Sequence, residues 1–177
     1  EATHMMGAQI TYEHIDSLKY KFTVKVYRDC RGIPLAAPTT TLRCASGTST
    51  PVTVKLTRIS IRDITPVCSS KNPCSPANTR ASKGIEEHLY TVIVNFNDSA
   101  LKPLLKCSNS CEIYFEISQC CRNGAINTGP SGNFYTFAMI NPCKAPKNSS
   151  PQWTNTPKPY LCCNQSVYYN PTAMDTI

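Results

Sequence analysis

No window of this sequence approaches the ~18 consecutive apolar residues of a membrane-spanning helix, so the chain is not expected to be membrane-embedded. Long helical stretches are missing too, which leaves strand formers to build the core. Zinc-ligand spacing is also missing. The gaps run from Cys68 to Cys74 and from Cys107 to Cys111, beside adjacent pairs, where a structural zinc site needs Cys-x2-Cys or Cys/His clusters. No metal or cofactor is therefore expected. His4, His14 and His88 sit in no nucleophile motif, and with the thiols expected to be oxidised the chain reads as non-catalytic. The 18 Lys and Arg outnumber the 11 Asp and Glu, giving +7, but they form no stripe that could track phosphates, so nucleic acid is not an expected partner. Dispersed positive charge leaves a mild attraction to anionic glycans or a negatively charged cell surface. Glu1-Ala2-Thr3-His4 has neither an initiator methionine nor a basic-then-apolar leader, and reads as the end left by signal-peptide removal.

What is present is cysteine and alternation. Eleven cysteines in 177 residues exceed what a cytosolic chain normally carries, because that compartment keeps thiols reduced for metals or catalysis; an extracellular, cell-surface location is expected. The 41% hydrophobic content suffices for a buried core, and 14 Pro with Thr, Ser and Asn between the apolar runs is the composition of short strands joined by turns. Leu18, Tyr20, Phe22, Val24 and Val26 alternate with Lys19, Lys21, Thr23 and Lys25, giving one apolar and one charged face. The same pattern predicts strands near residues 8–14, 52–61, 88–96, 112–119 and 133–140. Such a set without helices predicts an all-β antiparallel sandwich, Ig-like or jelly-roll-like, over residues 5–143. Within 52–61 the inward set Val52, Val54, Leu56 changes parity to Ile59 and Ile61, which calls for a bulge near Thr57 or a strand buried on both faces.

After Cys143 the composition shifts to Pro-rich chain, with Pro151, Pro157, Pro159 and Pro171 favouring extended backbone. A boundary is placed there, so that 1–143 is the disulfide-bonded sandwich and 144–177 either pads it or begins a further module. Trp153, Tyr160, Tyr168 and Tyr169 give this tail apolar surface that a solvated linker does not carry. They are candidate contacts for a neighbouring domain, a subunit or sugar rings; the plainer alternative is that they seal one edge of the sandwich.

The cysteines are Cys30, Cys44, Cys68, Cys74, Cys107, Cys111, Cys120, Cys121, Cys143, Cys162 and Cys163, an odd number that leaves one over. Local closure is stereochemically open to Cys68 with Cys74 and to Cys107 with Cys111, and longer-range pairing equally so. Adjacent Cys120 and Cys121 should point to opposite faces of a strand end and reach different partners, and Cys162 and Cys163 likewise.

Several stretches carry a resemblance: 4–12 (HMMGAQITY), 26–32 (VYRDCRG), 63–68 (DITPVC), 84–90 (GIEEHLY) and 120–126 (CCRNGAI), in that order along the chain. Together they resemble the N-terminal region of very large secreted Bacteroidetes proteins, gliding-motility-associated or adhesin-like, exported by the type 9 secretion system. The stretches 148–151 (NSSP), 159–162 (PYLC) and 169–175 (YNPTAMD) are similar to the lead-in to a cadherin-like repeat in that family, so the resemblance covers nearly the whole chain. It implies a surface-exposed or released protein involved in attachment, and it carries over no catalytic residue. Such relatives continue into Asp- and Gly-rich sequence that suits calcium, whereas this one ends Asp175-Thr176-Ile177, where one carboxylate cannot supply about six to eight oxygen ligands.

Arg122-Asn123, after two cysteines, is expected to be a turn in which Arg122 pairs with a carboxylate such as Asp29. Asn97, Asn148 and Asn164 satisfy the N-linked acceptor rule. Ser17, Ser99 and Thr176 instead fit the Asp-Ser/Thr-apolar acceptor pattern of Bacteroidetes O-glycosylation. Two classes of function follow: an adhesive or structural module of a surface protein, and a polymerising subunit of an extracellular filament or sheath that uses its tail for subunit contacts.

Overall fold

The computed structural model describes residues 5–47, 49–66, 72–75, 84–107, 111–120, 122, 132–157, 164 and 166–175. The strands in chain order are β1 (Met5–Asp16), β2 (Lys19–Asp29), β3 (Thr39–Cys44), β4 (Val52–Val54), β5 (Thr57–Asp63), β6 (Ile85–Asn95), β7 (Ile113–Gln119), β8 (Phe134–Ile140), β9 (Gln152–Trp153) and β10 (Ala173–Met174). A single 3-10 turn over Lys102–Lys106 is the helical element among the described residues. The chain is an antiparallel β-sandwich: one sheet runs β1-β2-β6-β5, the other β4-β3-β7-β8, and β9 pairs with β10 apart from both. That order is the A-B-E-D and C′-C-F-G arrangement of an immunoglobulin-type sandwich. A jelly roll passes most successive strands between its sheets, whereas here β1 pairs with β2 and β3 with β4, so the Ig-like expectation holds and the jelly-roll one does not.

Alternation explains the layers. In β2 the side chains of Tyr20, Phe22, Val24 and Val26 are fully buried, while Lys19, Lys21 and Lys25 lie on the other face. In β7, Ile113, Phe115 and Ile117 do the same from the opposite sheet. Where antibody domains place an inter-sheet disulfide between the second and penultimate strands, Phe22 and Phe115 stack with ring centroids 4.1 Å apart and planes at 9°. Phe96 and Tyr12 extend the aromatic core through Tyr20.

The predicted strand at 52–61 divides. Val52–Val54 belongs to one sheet, Leu56 is buried at the crossover, and Thr57–Asp63 is the outer strand of the other sheet. Its bulge lies between Arg58 and Ser60, close to the expected place. Ile59 and Ile61 are nevertheless 56% and 49% exposed rather than inward. The cause is their position at a sheet edge opposite β4, which is only three residues long and leaves them uncovered.

The disulfides sit at strand ends. Cys30–Cys74, Cys44–Cys107 and Cys111–Cys143 join residues 44, 63 and 32 apart in sequence. Neither short loop is closed on itself, because Cys74, Cys107 and Cys111 each pair at long range. Bridges of such span each stabilise by about 2–4 kcal/mol, chiefly by restricting the unfolded chain. Cys120 is disulfide-bonded as well; Cys68, Cys121, Cys162 and Cys163 lie outside the described residues. Gly84 is fixed by the first bridge, since a Cβ there would collide with the sulfurs of Cys74 and Cys30.

Candidate functional site

The tail is strapped to the open side of β1. Asn141 begins the turn, its side chain accepting from the Lys144 N–H at 3.0 Å and its carbonyl from the Ala145 N–H at 3.0 Å. The Tyr20 hydroxyl donates to the Pro146 carbonyl at 2.6 Å, and burial pushes that phenol up to about 12. Asn148 donates to the Tyr12 hydroxyl at 2.8 Å. Ser150 then mimics a ladder partner: its N–H donates to the Tyr12 carbonyl at 2.9 Å, and its Oγ accepts from the Tyr12 N–H at 2.8 Å. Ser149 Oγ accepts from the His14 N–H at 3.0 Å. Serine side chains bonding to main chain are common at such irregular joins. The contacts of the sandwich therefore run past Cys143, the place where composition put a boundary.

Beyond the strap, β9 and β10 form a short ladder, Gln152 opposite Met174 and Trp153 opposite Ala173. The turn before β10 is held by Asn155, which donates to the Asn170 carbonyl at 2.8 Å and the Thr172 hydroxyl at 2.9 Å. Trp153 and Tyr169, with Pro157 and Pro171, close one side of a groove of about 450 Å³ whose other walls are Ala8 to Ile10 of β1 and Thr136 and Phe137 of β8. Trp153 is 39% exposed and Tyr169 41%, whereas Tyr168 stands 93% in solvent. Tyr160 lies outside the described residues. The structure thus brings Trp153 and Tyr169 together at the groove and leaves Tyr168 apart from it.

A second surface escaped the sequence reading. On the outward face of β3, β7 and β8, Arg43 lies over the Tyr114 ring at 5.1 Å and pairs with Glu116 at 2.6 Å. Glu116 also accepts from the Tyr135 hydroxyl at 2.5 Å. Tyr114 and Phe137 rings are 4.6 Å apart, and Tyr135, Phe137 and Met139 are each about half exposed. The available signal was the period-two row of Tyr135, Phe137 and Met139, which places apolar residues on both faces of β8.

A third cluster is buried at the far end of the first sheet. Arg28 pairs with Glu86 at 3.2 Å and donates to the carbonyls of Asp29, Cys30 and Gly32, fastening the loop after β2. His88 Nε2 lies 3.1 Å from the same Glu86; burial holds its pKa below the ordinary value, with Glu86 acting in the opposite sense. Asp29 Oδ1 accepts from the Arg31 N–H, while Arg122 is exposed and its backbone bridges Met5, so the expected Arg122–Asp29 pair is not formed. The competing donor is local and closer in sequence. Asn123 lies outside the described residues.

Ser17 and Ser99 are both exposed, on turns brought to one end of the sandwich by the bond from the Phe96 N–H to the Leu18 carbonyl; Thr176 and His4 lie outside the described residues. Asn148 is committed to Tyr12, so a glycan on it would displace the strap. Among the described residues no group of three or more His, Cys, Asp or Glu is placed to hold a metal ion, and no helix is long and apolar enough to cross a membrane. Comparison with protein-family models, with curated proteins and with solved structures finds no match for this chain.

Proposed function

We propose that the chain is an extracellular, non-catalytic adhesion or structural module of a bacterial surface protein, presenting its tail to a neighbouring domain, subunit or glycan. The observation that carries this reading is the strap: Ser149 and Ser150 fix the tail along β1 and so present Trp153 and Tyr169 at the mouth of a groove. Aromatic rings held at low entropic cost are the usual anchors for sugar rings and for other chains. Disulfides at the strand ends suit a module that must keep its shape outside the cell. The resemblance to gliding-motility-associated and adhesin-like Bacteroidetes proteins exported by the type 9 system points the same way.

The test is binding of the oxidised chain to glycan arrays and to intact bacterial surfaces, wild type beside a Trp153→Ala, Tyr169→Ala double variant. The reading expects a ligand that the wild type binds and the variant loses by about tenfold or more, at unchanged melting temperature. Equal binding by both proteins removes the tail from the site.

A polymerising subunit is the second reading, favoured by one observation. The strap joins residues up to 138 apart in sequence, so the same serine contacts fit the tail of another copy. Ordered fibres under negative stain, abolished by deleting 148–177, select this reading; dispersed particles select the first.

A further inference from the structure

We infer that the outward face of the second sheet, β4-β3-β7-β8, is a platform for a neutral saccharide chain. The two outward faces of the sandwich differ in kind. That of the first sheet carries Lys19, Lys21 and Lys25 with Glu13, the charged surface that an antiparallel sheet normally turns to water. That of the second carries Tyr114, Tyr135, Phe137 and Met139. Cross-strand register arranges it in three rows: Arg43, Tyr114 and Met139, then Thr53, Thr41, Glu116 and Phe137, then Thr39, Ser118 and Tyr135. Rings gather on β7 and β8, with Tyr114 and Phe137 centroids 4.6 Å apart and Tyr135 6.0 Å from Phe137. Hydroxyls gather beside them, and those of Thr39, Thr41, Thr53 and Ser118 are engaged by no hydrogen bond to a described residue.

A pyranose ring has a C–H face, which stacks on the electron-rich face of an aromatic ring, and a hydroxyl edge, which exchanges hydrogen bonds with threonine and serine. A protein interface sets a polar rim around an apolar core; here rings and hydroxyls lie side by side, as the face and edge of a sugar do. Charge decides against an acidic ligand. In a chain of net charge +7, Arg43 is the one cation and Glu116 the one anion turned outward by these four strands, and they neutralise each other across 2.6 Å. Glu116 also holds the Tyr135 hydroxyl and Arg43 lies over Tyr114, so the pair fixes both rings and leaves no charge over for a phosphate, a sulfate or a uronic acid. At the usual ~4.8 Å between strands the face is about 14 Å across, and touching both halves takes several sugar residues rather than one. Phe137 also borders the tail's groove, but the platform is built without Trp153 and Tyr169; it rests on the reading of the chain as a non-catalytic adhesion module and not on the tail as its binding site.

The experiment is depletion of the oxidised full chain by insoluble cellulose, xylan, mannan and curdlan, with alginate and heparin beads as anionic counterparts, from about 0.05 to 1 M salt. Wild type is compared with Tyr114→Ala, with Thr41→Val, and with the Trp153→Ala, Tyr169→Ala double variant. Wild type should bind at least one neutral polysaccharide, with an affinity that salt leaves unchanged. Tyr114→Ala should raise the dissociation constant about tenfold or more and Thr41→Val severalfold, while the tail variant binds as wild type does. Melting curves check that each variant is folded, and Thr41→Val, which keeps the shape of its side chain, reads the platform even where Tyr114→Ala melts early. Binding to the anionic beads alone, binding to no neutral polysaccharide, or full binding by both Tyr114→Ala and Thr41→Val would each overturn the platform. Loss in the tail variant alone would overturn it too, while leaving the groove as the site of adhesion. Sedimentation of the same proteins covers the remaining occupant: a wild-type dimer abolished by Tyr114→Ala would make the face a protein interface instead.

Discussion

β1 and β8 are neighbouring edges of the same sandwich, and they have been finished in opposite ways. β1 carries polar outward residues and is sealed by the chain's own tail through Ser149 and Ser150. β8 carries aromatic outward residues and, among the described residues, no backbone hydrogen bond to the tail, which meets it instead across the groove at Thr136 and Phe137. The difference teaches that the tail is part of the scaffold for its first nine residues and a presenting element only from Trp153 onward. One edge is closed by hydrogen bonds to the tail, and the other borders a groove whose far wall is the tail.

The largest expected effect falls on what both edges share. Phe115→Ala removes one ring of the Phe22–Phe115 stack between the sheets and should destabilise the domain by about 3–5 kcal/mol, read from urea unfolding. A loss under about 1 kcal/mol would mean that the sheets are held by the disulfides rather than by this stack. Truncation after Cys143 uncovers β1 and the side of β8 that faces the groove. It removes the hydrogen bonds that Tyr12, His14 and Tyr20 make to the tail, so a loss of about 3 kcal/mol is expected with the sandwich still folded by circular dichroism. Failure of the truncated, oxidised chain to fold would make the tail an obligatory strand.

Acid should separate the two sheets. His88 is buried in the first sheet among Glu86, Arg28 and Arg58, and its pKa is lowered in the fold. The unfolded chain therefore takes up the proton more readily. The stability held by neutral His88 is fully present above the ordinary value of ~6.5 and is lost as pH falls through the lowered folded value. Hydrogen exchange below that range should quicken in β2, β5 and β6 before β7 and β8, and His88→Phe should flatten the dependence. Uniform quickening in both sheets would assign the effect elsewhere. The smallest expected change is Ile59→Thr on the β5 edge, within about 0.5 kcal/mol, because the side chain is already mostly in solvent.

Much of this fold is legible in the sequence because alternation in β2 and β7 is unbroken, and burial on one face is what alternation encodes. β3 is the instructive omission. Its inward set is Thr40, Leu42 and Cys44, all buried, yet only Leu42 advertises itself as core. Thr40 is accommodated by donating to the Pro38 carbonyl at 3.3 Å and Cys44 by bonding to Cys107, and neither partner can be read from local pattern. Disulfide partners are likewise set by topology: nothing near Cys107 shows that Cys44, rather than Cys111, will lie beside it. The tail's aromatics are legible as surface that wants cover, but the strap is not. Asn148-Ser149-Ser150 is an ordinary loop composition until Tyr12 supplies the other half of the hydrogen bonds.

Amide exchange resolved by residue tests the contrast between the two edges most directly. The Tyr12 and His14 amides, whose acceptors are Ser150 Oγ and Ser149 Oγ, should be protected to a degree comparable with interior amides of β2. Those amides of β8 that face away from β7, to which the tail makes no backbone hydrogen bond among the described residues, should exchange faster than the Tyr12 and His14 amides. Free exchange at Tyr12 and His14, or equal protection of every β8 amide, would contradict the account.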